Sequence, residues 1–142
     1  MFGLKPPAKG PAMSKAERIQ NFESFLKKEG YAPTLDADGD LVFKCEGRTY
    51  LILLEDNDEE FFRIVFPNFW RIESPAEREA VQRAALQATA ETKVAKVYPL
   101  GDNTWATIEM FCPTVEEAKP VFERSMNALH AAVALFVEEM RK

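Results

Sequence analysis

The sequence predicts an α+β fold, with helices packed on an antiparallel β-sheet in the order α-β-β-β-α-β-β-α. Three segments begin with a hydroxyl residue that is followed three positions later by glutamate, a pattern typical of helix N-termini. Short apolar runs separated by turn residues lie between these segments, as in β-hairpins. A length of 142 residues fits a single domain. We assign this domain to residues 14–142, after a flexible N-terminal arm at residues 1–13.

The three capping boxes place the starts of the helices. They begin at Ser14, Ser74 and Thr114. Gly30 is positioned to end the first helix in a left-handed conformation. Pro75 fits the first turn of the second helix, where its missing N–H costs nothing.

The last helix has apolar residues at alternating intervals of four and three. They are Phe122, Met126, Leu129, Val133, Phe136 and Met140. We interpret this seam as one amphipathic helix lying across the sheet rather than a coiled coil, because the repeat is short. Pro120 predicts a kink or a restart near residue 119.

Five strands are predicted, four of them in two hairpins. They cover residues 41–45, 48–54, 61–66, 94–98 and 104–111. Glu46-Gly47 provides the tight turn of the first hairpin. An acidic loop at 55–60 leads into the third strand, which ends at Pro67.

The two central strands carry apolar residues on both faces, although a sheet covered on one side should alternate apolar and polar residues. The three helices can cover one set. The other set is Leu51, Leu53, Phe61 and Val65. Leaving four such side chains bare would cost about 6–12 kcal/mol. A second subunit, a bound extended segment, or helices on both faces could supply the cover.

An aromatic loop follows the third strand. Aromatic residues such as Phe69 and Trp70 are enriched at protein interfaces, so we add this pair to the four strand residues as a predicted protein-binding site. The alternative is that both rings fold back over the edge of the core.

The charge is uneven along the chain. The net charge is −5, whereas the segment from Asp36 to Glu60 alone carries −7. This balance makes nucleic acid a poor partner and would steer basic clients towards the acidic segment. Neither a signal peptide nor an apolar run long enough for a membrane span is apparent, so we expect a cytoplasmic protein without membrane contact.

The sequence contains no pattern of catalytic residues, so we expect neither an enzyme nor a bound cofactor or metal. His130 is the only histidine, and Cys45 and Cys112 lack the C-x-x-C spacing. A calcium loop starting at Asp36 would need glycine at its sixth position and glutamate at its twelfth. Leu41 and Gly47 stand there instead, so a turn with solvated carboxylates fits better.

Several short segments between residues 39 and 68 resemble the bacterial YbjN-type family. They are Gly39-Asp40-Leu41, Gly47-Arg48-Thr49-Tyr50, Glu55-Asp56, Phe61-Phe62-Arg63-Ile64 and Pro67-Asn68. The element order and the long C-terminal helix resemble the type III secretion chaperone fold, which that family shares. The resemblance implies a homodimer that handles other polypeptides, with an extended client segment wrapped around exposed hydrophobic patches. It provides no catalytic residues to carry over.

We therefore expect a non-enzymatic protein-binding module, chaperone-like or an adaptor or regulator, that acts as a homodimer with a protein or peptide client. The alternative is a regulatory protein that binds a small ligand between the sheet and the C-terminal helix. Met110, Met126 and Phe136 would line that pocket.

Overall fold

The computed structural model describes residues 13–142 and confirms the α+β architecture. The helices are α1 (Lys15–Lys28), α2 (Pro75–Glu91) and α3 (Val115–Met140). The strands are β1 (Thr34–Leu35), β2 (Leu41–Cys45), β3 (Arg48–Glu55), β4 (Asp58–Phe66), β5 (Ala95–Leu100) and β6 (Asn103–Phe111). The predicted N-terminal arm lies outside the described residues, except for Met13.

All three helices begin at the predicted capping boxes. The cap hydroxyls of Ser14, Ser74 and Thr114 each accept a hydrogen bond from the backbone N–H three residues later, at 3.1, 3.0 and 3.2 Å respectively. These bonds satisfy N–H groups that have no partner inside the helix. Gly30 follows the end of α1 with a φ of +95°, as expected for a residue that stops a helix.

The final helix continues through Pro120 as a single element, so of the two outcomes predicted near residue 119, a kink or a restart, the restart does not occur. A proline inside a helix costs about 3 kcal/mol, because one backbone hydrogen bond is lost and the ring crowds the preceding turn. The apolar seam offsets this cost: Phe122, Met126 and Leu129 are all buried directly after the proline. Each such side chain contributes about 1.5–3 kcal/mol.

The sheet has six antiparallel strands in the order β1-β2-β3-β4-β6-β5. Two details differ from the sequence prediction. The short strand β1 was not predicted, and it pairs only Thr34 with Val42 and Leu35 with Leu41. The acidic loop is also shorter than expected, because β3 ends at Glu55 and β4 already begins at Asp58. Glu55 and Asp58 are themselves paired across the hairpin.

All three helices pack on one face of the sheet. One continuous core contains buried residues of α1, α2 and α3 together with the side chains of Tyr50, Ile52, Phe62 and Ile64. On α1, Phe22 stacks on Phe62 with ring centroids 4.9 Å apart. The alternate residues of β3 and β4 point to the other face and are not part of this core. Within residues 13–142, no helix covers that second face.

The outer edge of β5 is closed by a side chain from α2. The backbone N–H of Val97 donates to Thr89 Oγ1 at 2.9 Å, and the Thr89 hydroxyl donates to the carbonyl oxygen of Val97 at 3.3 Å. Both backbone groups would otherwise be free to pair with another strand. Pro99 reinforces the edge, because it has no N–H to offer.

We predict that Thr89→Val lowers the free energy of unfolding by about 1 kcal/mol, because the substitution keeps the shape but leaves both Val97 groups without this partner. Urea denaturation followed by circular dichroism measures the change. Thr34→Val is the matched control, since the Thr34 hydroxyl makes no hydrogen bond within residues 13–142. Equal losses of stability in the two variants would show that the edge contact contributes nothing.

Candidate functional site

The face of the sheet opposite the helices is the first candidate site, and we call it the open face. The strand register brings residues from β3, β4, β5 and β6 together here. Its central members are Leu51, Leu53, Phe61, Arg63, Val65, Lys96, Thr107, Glu109 and Phe111. The four strand residues predicted from the sequence therefore share one surface.

The four predicted residues differ in how much surface they offer. Leu51, Leu53 and Phe61 are half-buried and keep part of their apolar surface accessible. Val65 is 0% exposed, because it lies between Leu51 and Thr107 in adjacent strands. Val65 therefore supports its neighbours and has no surface of its own for a partner.

Phe111 is the open-face residue that the sequence analysis missed. It is 76% exposed and pairs with Phe61, with the two ring centroids 6.5 Å apart. The guanidinium of Arg63 lies 5.2 Å from the centre of the Phe61 ring. Sequence alone placed Phe111 in a strand, but gave no signal that it would stand beside Phe61.

The charges on the open face are paired within the chain. Arg63 lies 3.5 Å from a carboxylate oxygen of Glu55, and Lys96 lies 3.2 Å from Glu109. Glu109 also accepts a hydrogen bond from the Thr107 hydroxyl at 2.7 Å. This surface is therefore mixed in sign, although part of it belongs to the acidic segment from Asp36 to Glu60.

The aromatic loop is not part of the open face. Phe69 and Trp70 both pack edge-on against Phe136 of α3, with ring centroids 5.3 and 5.6 Å away. Phe69 also stacks on Phe66 at 5.2 Å, and the indole N–H of Trp70 donates to Glu77 at 3.4 Å. Of the two alternatives, the structure has both rings folded over the edge of the core, where they are half-buried.

A second candidate is a cavity of about 350 Å³ between the end of α1, the β2–β3 turn and the first half of α3. Phe25, Tyr31, Phe122 and Met126 form its apolar walls. Exposed carboxylates and several polar groups complete its lining. They are Glu29, Glu46, Glu123, Cys45, Lys119, Asn127 and His130. We call this space the acidic cavity.

The acidic cavity has a negative electrostatic environment. The pKa of Tyr31 is raised, first by burial and then by the nearby Cys45, Glu29 and Glu123.

The imidazole of His130 packs against the ring of Tyr50, with centroids 5.7 Å apart. Burial also raises the pKa of Tyr50, although Arg48 acts in the opposite direction.

A third candidate is a groove of about 340 Å³ between the sheet and α3, which we call the apolar groove. Val94, Met110, Val121 and Ala128 line it, with Lys93 and Arg124 beside them. The residues predicted to line a pocket between the sheet and the C-terminal helix are distributed differently, because Met110 lines this groove without the other two. Met126 lines the acidic cavity instead, and Phe136 is completely buried.

The carboxylates of Asp36, Asp38 and Asp40 lie within 4.8 Å of one another and are the groups that could supply oxygen ligands to a cation. Their contacts are those of the turn predicted from the sequence. Asp36 Oδ1 accepts hydrogen bonds from the backbone N–H groups of Asp38 and Asp40, both at 2.9 Å. Lys15 lies 3.5 Å from Asp40. Burial raises the pKa of Asp40, and Lys15 partly counteracts this effect.

No family model, curated protein or solved structure matches the chain. Membership of the YbjN-type family therefore stays a prediction. None of the helices within residues 13–142 combines the length and the apolar character that crossing a bilayer requires.

We predict that Cys45 reacts with iodoacetamide faster than Cys112. Cys45 is half-buried and lines the acidic cavity, whereas Cys112 is buried and its pKa is raised by burial and by Glu117. Because the thiolate is the reactive form, both burial and a raised pKa slow the reaction of Cys112. Mass spectrometry of the two peptides over time measures the rates, and equal rates would contradict the assigned environments.

Proposed function

We propose that this protein is a cytoplasmic, non-enzymatic protein-binding module of the chaperone or adaptor type that acts as a homodimer through its open face. The observation that supports the proposal is the one-sided placement of the helices, which leaves Leu51, Leu53, Phe61 and Phe111 with accessible apolar surface. Exposed apolar side chains grouped on one face of a sheet are typical of interaction sites on soluble proteins.

The size of the open face suits a dimer. Six strands spaced about 4.8 Å apart give a width of about 24 Å. The central strands β3, β4 and β6 have eight or nine residues, so the length is about 27 Å at a rise of about 3.3 Å per residue. The resulting area of roughly 650 Å² is close to the roughly 800 Å² that each partner buries in a stable interface.

The charge distribution also favours a second copy on this face. Two molecules with a net charge of −5 repel each other on average. The open face avoids this repulsion, because Arg63 and Lys96 stand beside Glu55 and Glu109. A second copy can therefore approach here without a like-charge penalty. The resemblance to the YbjN-type family points in the same direction.

We predict that Phe111→Glu weakens dimerisation by about 100- to 10,000-fold, because a homodimer contains the substituted site twice. The substitution removes about 1.5–3 kcal/mol of apolar burial per site and adds a charge to the interface. Light scattering after size-exclusion chromatography, over a range of protein concentrations, measures the dissociation. The core should stay intact, because the Phe111 side chain lies largely in solvent in the free subunit.

Leu86→Glu is the matched control for this experiment, since Leu86 is 72% exposed on α2, in the helix layer on the opposite side of the sheet. It should leave the dimer unchanged. The double variant Leu51→Ser/Phe61→Ser tests the centre of the face and should give a monomer with unchanged helix content. A monomeric wild-type protein, or equal effects of Phe111→Glu and Leu86→Glu, would refute the proposal.

A second candidate function is the binding of a small apolar acid in the apolar groove. Lys93 and Arg124 form no ion pair within residues 13–142, and they stand beside the apolar side chains of Val94, Met110 and Val121. Val94 is also held at a φ of +68°, a conformation that costs a β-branched residue energy, and strained residues of this kind are enriched at functional sites. An aliphatic chain with a carboxylate at one end would match this arrangement.

For this second function we predict that decanoate binds and raises the melting temperature, whereas decylamine does not. Lys93→Glu/Arg124→Glu should weaken decanoate binding about tenfold. Arg83→Glu, an exposed substitution on α2, serves as the charge control. Isothermal titration calorimetry measures the affinities, and equal binding of the two amphiphiles would exclude an acid-specific site.

A further inference from the structure

We infer that the acidic cavity is the recognition site for a lysine or arginine side chain of an extended partner polypeptide. The inference rests on the proposed function as a protein-binding module and specifies the chemistry of the client. It concerns the helix side of the molecule, whereas the proposed dimer contact lies on the open face.

The walls of the cavity suit the aliphatic part of such a side chain. Lysine and arginine carry three or four methylene groups that pack on apolar surface while the charged end stays near solvent. Phe25 and Tyr31 both pack edge-on against Phe122, with ring centroids 5.3 and 6.0 Å away. Tyr31 also contacts Phe43 at 5.4 Å. Because these rings hold one another in place, the cavity is preformed and binding requires little ordering of its walls.

The rim of the cavity suits the charged end. Glu29, Glu46 and Glu123 approach from three different elements: the end of α1, the β2–β3 turn and α3. The basic side chains among the lining residues are Lys119 and His130. The Nζ atom of Lys119 lies 3.1 Å from a carboxylate oxygen of Glu116. The carboxylates therefore outnumber the cations around an apolar space, which is the complement of an aliphatic chain with a positive end.

The β2–β3 turn fixes the backbone position of one of these glutamates. Glu46 and Gly47 form the β2–β3 turn with φ values of +52° and +81°. Positive φ at both central residues is the signature of the tight turn that suits a twisted hairpin. This turn fixes the backbone of Glu46 at the mouth of the cavity, next to the half-buried Cys45.

The net charge of the chain, −5, favours the same ligand class. Of the acidic segment from Asp36 to Glu60, Glu46 is the residue that lines the cavity, whereas Asp40 and Glu55 lie beside Lys15 and Arg18 at the start of α1. A field of this sign attracts basic polypeptides and speeds their association at low ionic strength. An acidic client would be repelled by these carboxylates and a neutral one would gain only the apolar contacts, so the chemistry selects a basic client.

A fluorescein-labelled peptide with four lysines separated by Gly-Ser pairs tests the inference by fluorescence anisotropy. We expect binding by the wild-type protein, and at least tenfold weaker binding by Glu46→Gln/Glu123→Gln. The matched control is Glu79→Gln/Glu91→Gln, which removes the same charge from α2 and should bind as well as the wild type. The same peptide with norleucine in place of lysine should bind at least tenfold more weakly, because it keeps the apolar contacts but loses the charge.

Two further measurements locate the peptide. Asn127→Trp places a large ring in the cavity from an exposed position on α3, so it should abolish binding without affecting the core. Bound peptide should also slow the alkylation of Cys45, which lines the cavity, without changing the reaction of Cys112. Spermidine is the small-amine competitor, and it should displace the peptide only at much higher concentration.

The outcomes separate this inference from the dimer proposal. The Phe111→Glu variant should still bind the peptide, because that substitution lies on the opposite side of the sheet. Absence of peptide binding, or equal weakening in the two glutamine double variants, would overturn the inference whatever the oligomeric state. Displacement by spermidine at the concentration of the peptide would also overturn it, since the cavity would then be a site for free amines.

Discussion

The fold depends on a mismatch between the sheet and the helices. Both faces of the sheet carry apolar residues, but the helices within residues 13–142 pack on one face only. The core takes in Tyr50, Ile52, Phe62 and Ile64 from the central strands. Within residues 13–142, their neighbours on the opposite side receive cover from adjacent side chains in the sheet and from no helix. This cover is complete for Val65, which is fully enclosed, and largely missing for Phe111 at the end of β6. The imbalance leaves apolar surface accessible on the open face.

The long helix α3 connects this core to the other candidate sites. Near its start, Phe122 contacts Phe25, Tyr31 and Phe43 and so forms a wall of the acidic cavity. Near its end, Phe136 receives the aromatic rings of the loop after β4. The aromatic contacts that bury the core therefore also fix the walls of the acidic cavity.

The three candidate surfaces differ in the charges that they carry. The open face pairs its charges internally, through Arg63 with Glu55 and Lys96 with Glu109. The acidic cavity keeps an excess of carboxylates, whereas the apolar groove keeps the cations of Lys93 and Arg124. Surfaces that differ in sign attract ligands of different chemistry, so one small domain can present a neutral, a negative and a positive contact region.

Local features of the molecule could be predicted from the sequence. The caps at Ser14, Ser74 and Thr114 and the turn at Glu46-Gly47 follow from interactions within about four residues, so they require no knowledge of distant contacts. The presence of apolar residues on both faces of β3 and β4 could be predicted for the same reason, because side chains along a strand alternate between its two faces with a fixed period.

The tertiary structure alone decided which of these residues stay at the surface. The neighbours of a strand residue are set by pairing across the sheet, so 50 positions of chain separate Phe61 from its partner Phe111. The same long-range contacts bury Val65, fold Phe69 onto α3 and place carboxylates from three elements around one cavity. Alternation along the chain determines the side of the sheet on which a residue lies, but only packing between distant segments determines what covers it.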